Sequence, residues 1–201
     1  MVTLRVHRTL VLILAVVPVS SGAPWAAAFD QTPTPTEYRV LATNRTSTME
    51  RELNEAADAG YRFRAVMGGE TAFGGNEVVV VMAPIGEGKS RYAYKLLATN
   101  RTSTMQNELQ EAADAGYEYM GQTVFKTTFG GDEVVVILER DKDSTPRGVE
   151  YRLVATSKTA TLQKELMEVG AAGYEVLAMT VSKTAFGGKE LVAITRRTRA
   201  K

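Results

Sequence analysis

One segment occurs three times in this chain, and that repetition constrains the fold more than any other feature. The segment opening at Tyr38, YRVLATNRTSTMERELNEAADAGYRF, returns at Tyr94 as YKLLATNRTSTMQNELQEAADAGYEY and at Tyr151 as YRLVATSKTATLQKELMEVGAAGYEV, without internal gaps and at offsets of 56 and 57 residues. Each copy closes with a second shared block: TAFGGNEVVVVM ending at Met82, TTFGGDEVVVIL ending at Leu138 and TAFGGKELVAIT ending at Thr195. Such a period marks tandem copies of one supersecondary unit. The connectors APIGEGKSR and DKDSTPRGV are polar and rich in glycine, proline and charge, as linkers are.

Local signals agree within every copy. The opening Tyr-x-Val/Leu-Leu/Val-Ala-Thr stretch is short and β-prone. Met49, Leu53, Ala56 and Ala57 recur as Met105, Leu109, Ala112 and Ala113, at the spacing of one apolar helix stripe. Ser47 with Glu50, and Ser103 with Gln106, have the spacing of a capping box, which the third copy lacks because Ala160 replaces the serine. Gly60, Gly116 and Gly173 stand where a helix C-terminus takes a left-handed residue. A strand then starts at Tyr61, Tyr117 or Tyr174, and the Gly-Gly pairs at 74–75, 130–131 and 187–188 turn it into the last strand.

The unit is therefore β-α-β-β, and too small to bury a comfortable core alone. The expected class is α+β: three tandem repeats, antiparallel pairing, helices on one face and pseudo-threefold character. The boundaries are a signal peptide at 1–28, a linker at 29–36, repeats at 37–84, 92–140 and 150–197, linkers at 85–91 and 141–149, and a basic tail at 198–201.

The third copy, with Leu162, Leu166, Gly170, Gly173, Tyr174, Glu175 and Leu177, resembles the bacterial domain-of-unknown-function family 4177, whose pattern is a Tyr-Lys-Val-Val strand followed by Leu-Asn-x-Leu-Gly-x-x-Gly-Trp-Glu-Leu-Val. Ala57 and Ala113 replace its first glycine, and tyrosine replaces its tryptophan in all three copies. The resemblance implies a small βαββ fold and carries no established activity.

Ahead of the repeats, Arg5, His7 and Arg8 precede the apolar run LVLILAVVPV, and Ala26 and Ala28 are spaced as in an A-x-A cleavage site. This reads as a secretory signal cut before Phe29, since the run is about half the roughly 20 residues that span a bilayer. Cleavage takes the formal charge from +1 to −1 and removes the only histidine, His7, and the only tryptophan, Trp25; the chain has no cysteine. Zinc and copper ligand sets, Ser-His-Asp and Cys-His chemistry, disulfides and thiolate sites are then out of reach. Near-zero net charge gives no footprint for nucleic acid. The expectation is a periplasmic or secreted protein with no cofactor, no metal and no membrane span after cleavage.

The candidate binding residues enter each helix: Arg45, Thr46 and Thr48, then Arg101, Thr102 and Thr104, then Lys158, Thr159 and Thr161. Helix N-termini offer unpaired N–H groups and partial positive charge, so hydroxyls and one cation there suit a phosphate or carboxylate. Other repeated features read as structure. FGGDEV at Phe129–Val134 looks like the Gly-Gly-acid-acid turn of diguanylate cyclases, but Asp132 corresponds to Asn76 and Lys189, so it is a hairpin turn. Asn44-Arg-Thr46 and Asn100-Arg-Thr102 match the glycosylation pattern as byproducts of the helix entrance. Glu52, Glu108, Glu165, Glu55, Glu111 and Glu168 read as solvated or ion-paired helix carboxylates. Phe73, Phe129 and Phe186 fall at hairpin tips, where they pack or form an apolar contact surface.

These features lead to an exported, non-enzymatic interaction protein, binding an envelope protein, a glycan or an anionic small molecule through the repeated loops. An enzyme with a Glu/Thr/Tyr/Arg site at the repeat axis and a purely structural repeat protein are the rivals. N-terminal sequencing of the exported chain is expected to start at Phe29; an exported chain that keeps residues 1–28 contradicts the signal reading.

Overall fold

The computed structural model describes residues 36–71, 75–86, 91–126, 132–183 and 188–199. Residues 36–201 form one compact unit. Repeat 1 comprises β1 (Arg39–Thr43), α1 (Thr46–Asp58), β2 (Tyr61–Thr71) and β3 (Gly75–Pro84). Repeat 2 comprises β4 (Tyr92–Thr99), α2 (Thr102–Asp114), β5 (Glu118–Lys126) and β6 (Asp132–Asp141). Repeat 3 comprises β7 (Val149–Thr156), α3 (Thr159–Ala171), β8 (Glu175–Lys183) and β9 (Lys189–Thr198). The α+β class and the threefold β-α-β-β repetition are as the sequence leads one to expect.

Each repeat has its own antiparallel three-stranded sheet, with the last strand central: β1-β3-β2, β4-β6-β5 and β7-β9-β8. The central strands are the Val- and Ile-rich ones because both of their edges are paired and both faces can be covered. The other two strands keep one free edge. The second strand of every repeat carries a register shift at the same place, between Phe63 and Ala65, Tyr119 and Gly121, and Val176 and Ala178. Conservation of a bulge across copies marks it as part of the design.

Helix stripes land where their spacing predicts. Met49, Leu53, Ala56 and Ala57 are sealed in the core, as are Met105, Leu109, Ala112 and Ala113. Full burial of Met49 or Leu53 is worth about 1.5–3 kcal/mol each in transfer free energy. Gly60, Gly116 and Gly173 have φ of +87°, +85° and +82°, the left-handed value that ends each helix.

Expected capping boxes are absent. The N-cap residues are Arg45, Arg101 and Lys158, none with a side-chain cap hydrogen bond. Each instead donates its own N–H to the threonine two residues earlier, Thr43, Thr99 or Thr156. Glu50 and Gln106 are turned away from their own helix entrances toward the following repeat. β9 runs to Thr198, and Arg196, Arg197 and Arg199 pair with Glu175, Glu150 and Asp114; residues 200–201 of the expected basic tail lie outside the described residues.

Repeats are joined in series, with the principal packing between repeats 1 and 2 and between 2 and 3. One core cluster unites the α1 stripe and β3 of repeat 1 with Tyr92, Tyr94, Val135 and Ile137 of repeat 2. A second unites α2 and β6 with Val149, Tyr151 and Ile194 of repeat 3. The third holds only Val154, Leu162, Val169 and Ala193 as fully buried members. α1 and α2 thus each serve two sheets, their own and the next.

β2 and β5 approach backbone to backbone. A Cβ built at Gly68 falls 2.5 Å from the Val124 carbonyl oxygen, and one at Gly121 falls 3.0 Å from the Phe63 ring. Gly69, the next residue, meets nothing within 4 Å. Gly68→Ala should therefore cost about 1–3 kcal/mol through overpacking, while Gly69→Ala should be neutral or stabilising by up to about 1 kcal/mol. Urea denaturation of the two variants checks the contrast.

Candidate functional site

The joint between repeats is the most elaborate polar construction in the molecule. Each following repeat offers an edge strand whose outward N–H and C=O groups need partners. Side chains of the preceding helix supply them. Asn54 donates from Nδ2 to the Tyr94 carbonyl at 2.9 Å and accepts at Oδ1 from the Tyr94 N–H at 2.9 Å, while Glu50 Oε2 accepts from the Leu96 N–H at 2.8 Å. At the second joint Gln106 takes the Tyr151 carbonyl and the Leu153 N–H, and Gln110 takes the Val149 carbonyl and the Tyr151 N–H. A carboxamide presents one donor and one acceptor side by side, which is what a missing neighbour strand would have presented.

A tyrosine clasps the bulge at each of the two joints. Tyr94 and Tyr151, both almost fully buried, accept at their hydroxyls the N–H of Phe63 (2.8 Å) and of Tyr119 (2.7 Å) in the preceding repeat. Burial raises the Tyr94 hydroxyl pKa far above its ordinary value, so it stays a donor, and it gives its proton to Glu139 at 2.7 Å. Burial, with Tyr151 next to it, pushes Tyr119 up to about 12.

Glu139 and Arg62 complete the first joint. Arg62 donates from Nε and Nη2 to Glu139 Oε1 at 3.0 and 2.8 Å and lies 4.4 Å over the Tyr92 ring. The hydrogen bond to Glu139 holds the Arg62 guanidinium above its usual pKa. At the second joint the signs are exchanged: Glu118 occupies the position of Arg62, and Arg196 that of Glu139, paired at 3.6 Å. Arg196 also meets Glu175 at 2.6 Å, and Arg147 meets Glu118 at 3.1 Å.

These groups border a polar cleft of about 350 Å³ lined from all three repeats, including Arg62, Glu118, Glu139, Asp141, Arg147 and Arg196. The size suits a small ligand. Its charges, however, are committed to one another: each arginine already has a carboxylate. Asp141 takes a two-pronged contact from Arg91 and a hydroxyl from Ser144, which hold its pKa well below the carboxylate range. Glu150, nearby in sequence, is lowered in the same way by Tyr174 and then Arg197. Among the described residues no group of three or more His, Cys, Asp or Glu is arranged to hold a metal ion, and no helix is long and apolar enough to cross a membrane.

The loop residues singled out in the sequence lie at the three helix entrances. Arg45, Arg101 and Lys158 are exposed; Thr46, Thr102 and Thr159 begin the helices; Thr48, Thr104 and Thr161 follow within the first turn. Thr46 and Ser47 border an open groove with Glu50, Lys95, Glu108 and Glu111. Asn100, Arg101 and Thr102 border a different hollow, closed by Leu153, Val192 and Ile194 and only about 20 Å³, room for one water. Thr102 gives its hydroxyl to Glu190 of repeat 3 at 2.8 Å. The paired-acid positions behave as surface charges where they pair, Glu55 with Arg51 and Glu168 with Lys164. The phenylalanines at 73, 129 and 186, and the signal segment, lie outside the described residues.

Sequence reading missed Asn54, Gln110, Arg62, Glu139 and Arg196, and took Gln106 for half of a capping box. The exchange of Arg62 for Glu118 between copies, matched by Glu139 for Arg196, was the available signal. Family models, curated proteins and solved structures contain no match to this chain.

Glu139→Arg should destabilise the chain by about 2 kcal/mol or more, because it leaves Arg62 and the Tyr94 hydroxyl without their acceptor. Adding Arg62→Glu rebuilds the arrangement of Glu118 and Arg196, and a double-mutant cycle by denaturation should return about 1–3 kcal/mol of coupling. Additive losses would show that the pair does not join the repeats.

Proposed function

We propose that this is an exported, non-enzymatic interaction protein whose helix entrances engage an extended anionic partner, an envelope protein or glycan carrying carboxylates or phosphates. One observation carries the reading. All three helices begin without a side-chain cap, and at each the N-cap cation, Arg45, Arg101 or Lys158, is exposed and makes no ion pair among the described residues. Free amides, the helix dipole and a cation together favour an anion.

The arrangement suits an extended ligand better than a small one. The hollows beside Thr46 and beside Thr102 are separate, one acidic and the other water-sized, so a single phosphate has no enclosed seat in either. A chain of negative charges reaching successive loops gains by avidity, each weak contact raising the effective concentration for the next. Smaller anionic molecules would bind one loop at a time and weakly. The purely structural alternative has one observation of its own, the Thr102 hydroxyl already bonded to Glu190.

Thermal shift and titration calorimetry with inorganic orthophosphate and with long-chain polyphosphate test the proposal. Polyphosphate should raise the melting temperature where orthophosphate at equal phosphorus does not. Arg45→Ala, Arg101→Ala and Lys158→Ala together should remove the response without lowering the melting temperature of the free protein. Each single change should weaken binding severalfold and the triple change by about 100-fold. An unresponsive parent, or a triple variant that binds as the parent does, overturns it.

A further inference from the structure

Among the described residues, the joint that occurs twice inside the chain leaves one half of itself bare in repeat 1 and the other half bare in repeat 3. At the repeat 1 end, β1 has the free edge and back face that β4 and β7 bury. Tyr38 is 64% exposed, whereas its counterparts Tyr94 and Tyr151 are 3% and 2% exposed. Val40 is 62% exposed, while the corresponding Leu96 and Leu153 are packed against core clusters. Val79 and Val81 are half-buried where Val135 and Ile137 are sealed.

The repeat 3 end carries the complementary half. Met167 of α3 is 68% exposed in the position of Asn54 and Gln110, and Val176, Met179 and Val181 of β8 are each about half exposed. Phe63, the counterpart of Val176 in repeat 1, is buried, and Val66, the counterpart of Met179, packs against the first core cluster. Gln163 is exposed in the position from which Gln106 reaches Tyr151 and Leu153.

We propose that copies of this chain associate head to tail, the α3/β8 face of one seated on the β1 face of the next, reproducing the internal joint between molecules. In that register Gln163 takes the Tyr38 carbonyl and the Val40 N–H, and the Tyr38 hydroxyl takes the Val176 N–H at the third bulge. The occupant is a second copy because both bare faces belong to one interface whose two formed examples are continuous with them. Such an interface joins two different surfaces, so it propagates into rings or open filaments rather than stopping at a symmetric pair.

Two positions depart from the internal joints and set the strength. Met167 offers no carboxamide, and Ala83 stands where Glu139 and Arg196 supply an ion-pair partner, while Glu175 already holds Arg196 within its own chain. The intermolecular joint is therefore less polar than the internal ones, weaker and reversible. It uses none of Arg45, Arg101 or Lys158, so its success or failure is independent of the anion reading.

Sedimentation velocity and light scattering on the full chain over a concentration series test this. The average mass should climb from one chain to two and beyond. The tail variant Gln163→Ala with Met167→Glu, and the head variant Tyr38→Ser with Val40→Lys, alter exposed side chains and should each remain a monomer with unchanged circular dichroism and melting. Mixed together, each still has one intact face, so they should form one-to-one pairs and nothing larger. A parent that stays monomeric throughout, as it would if its own N-terminal segment covered β1, overturns the proposal. So does a parent that stops at dimers, or a mixture of variants that does not pair.

Discussion

The edge strand is the constraint on which the rest of this structure depends. A three-stranded sheet has two edges, and every edge exposes a row of backbone donors and acceptors that must be paired, solvated or covered. Here the first strands of repeats 2 and 3 are covered by the helix before them, through carboxamides that imitate a neighbouring strand at Asn54, Gln106 and Gln110. Because the covering helix belongs to the previous repeat, no repeat is complete by itself. The shared cores follow from this: α1 and α2 each lie against two sheets, whereas α3, with one sheet, fully buries only Leu162 and Val169.

Tyrosine hydroxyls and ion pairs then fix the order of the repeats. A buried hydroxyl without a partner is costly, and Tyr94 and Tyr151 find partners at the N–H groups of Phe63 and Tyr119, which mark the bulge in the preceding repeat. The exchanged charges add discrimination. Repeat 2 placed on itself would set Glu118 against Glu139, and repeat 3 placed directly on repeat 1 would set Arg62 against Arg196. Like charges at a half-buried joint oppose both arrangements. Apolar packing supplies most of the attraction, and these few polar residues select which faces meet.

How much of this was legible in the sequence depended on whether the determinant was local. The repeats, the stripe Met49, Leu53, Ala56 and Ala57 and the left-handed glycines at 60, 116 and 173 are set within a turn or two of chain, and they stand where the pattern put them. Glu50 shows the other case. Three residues after Ser47 it has capping-box spacing, yet it accepts the N–H of Leu96, 46 residues away. Spacing along a helix cannot distinguish a carboxylate turned back to its own first turn from one turned outward to an edge strand. The partners of Arg196 and Arg199, at Glu118, Glu175 and Asp114, were illegible for the same reason, being remote in sequence. For the site, the residue types at the helix entrances were legible, but whether the three loops faced one centre depended on the joints.

The serial joints bear directly on what kind of chemistry the repeats can support. A catalytic centre needs several groups converging on one reacting atom, and duplication supplies that most simply when copies surround an axis. Copies in series instead present the same group at successive steps along one body, each N-cap cation beside its own helix entrance. The cleft that does gather residues from all three repeats gathers arginines and carboxylates already matched to one another, with Asp141 held ionised by Arg91 and Ser144. Charges neutralised in pairs stiffen a junction and attract little. What the series multiplies is the exposed, uncommitted part of each repeat, which is why the proposed partner is a periodic one.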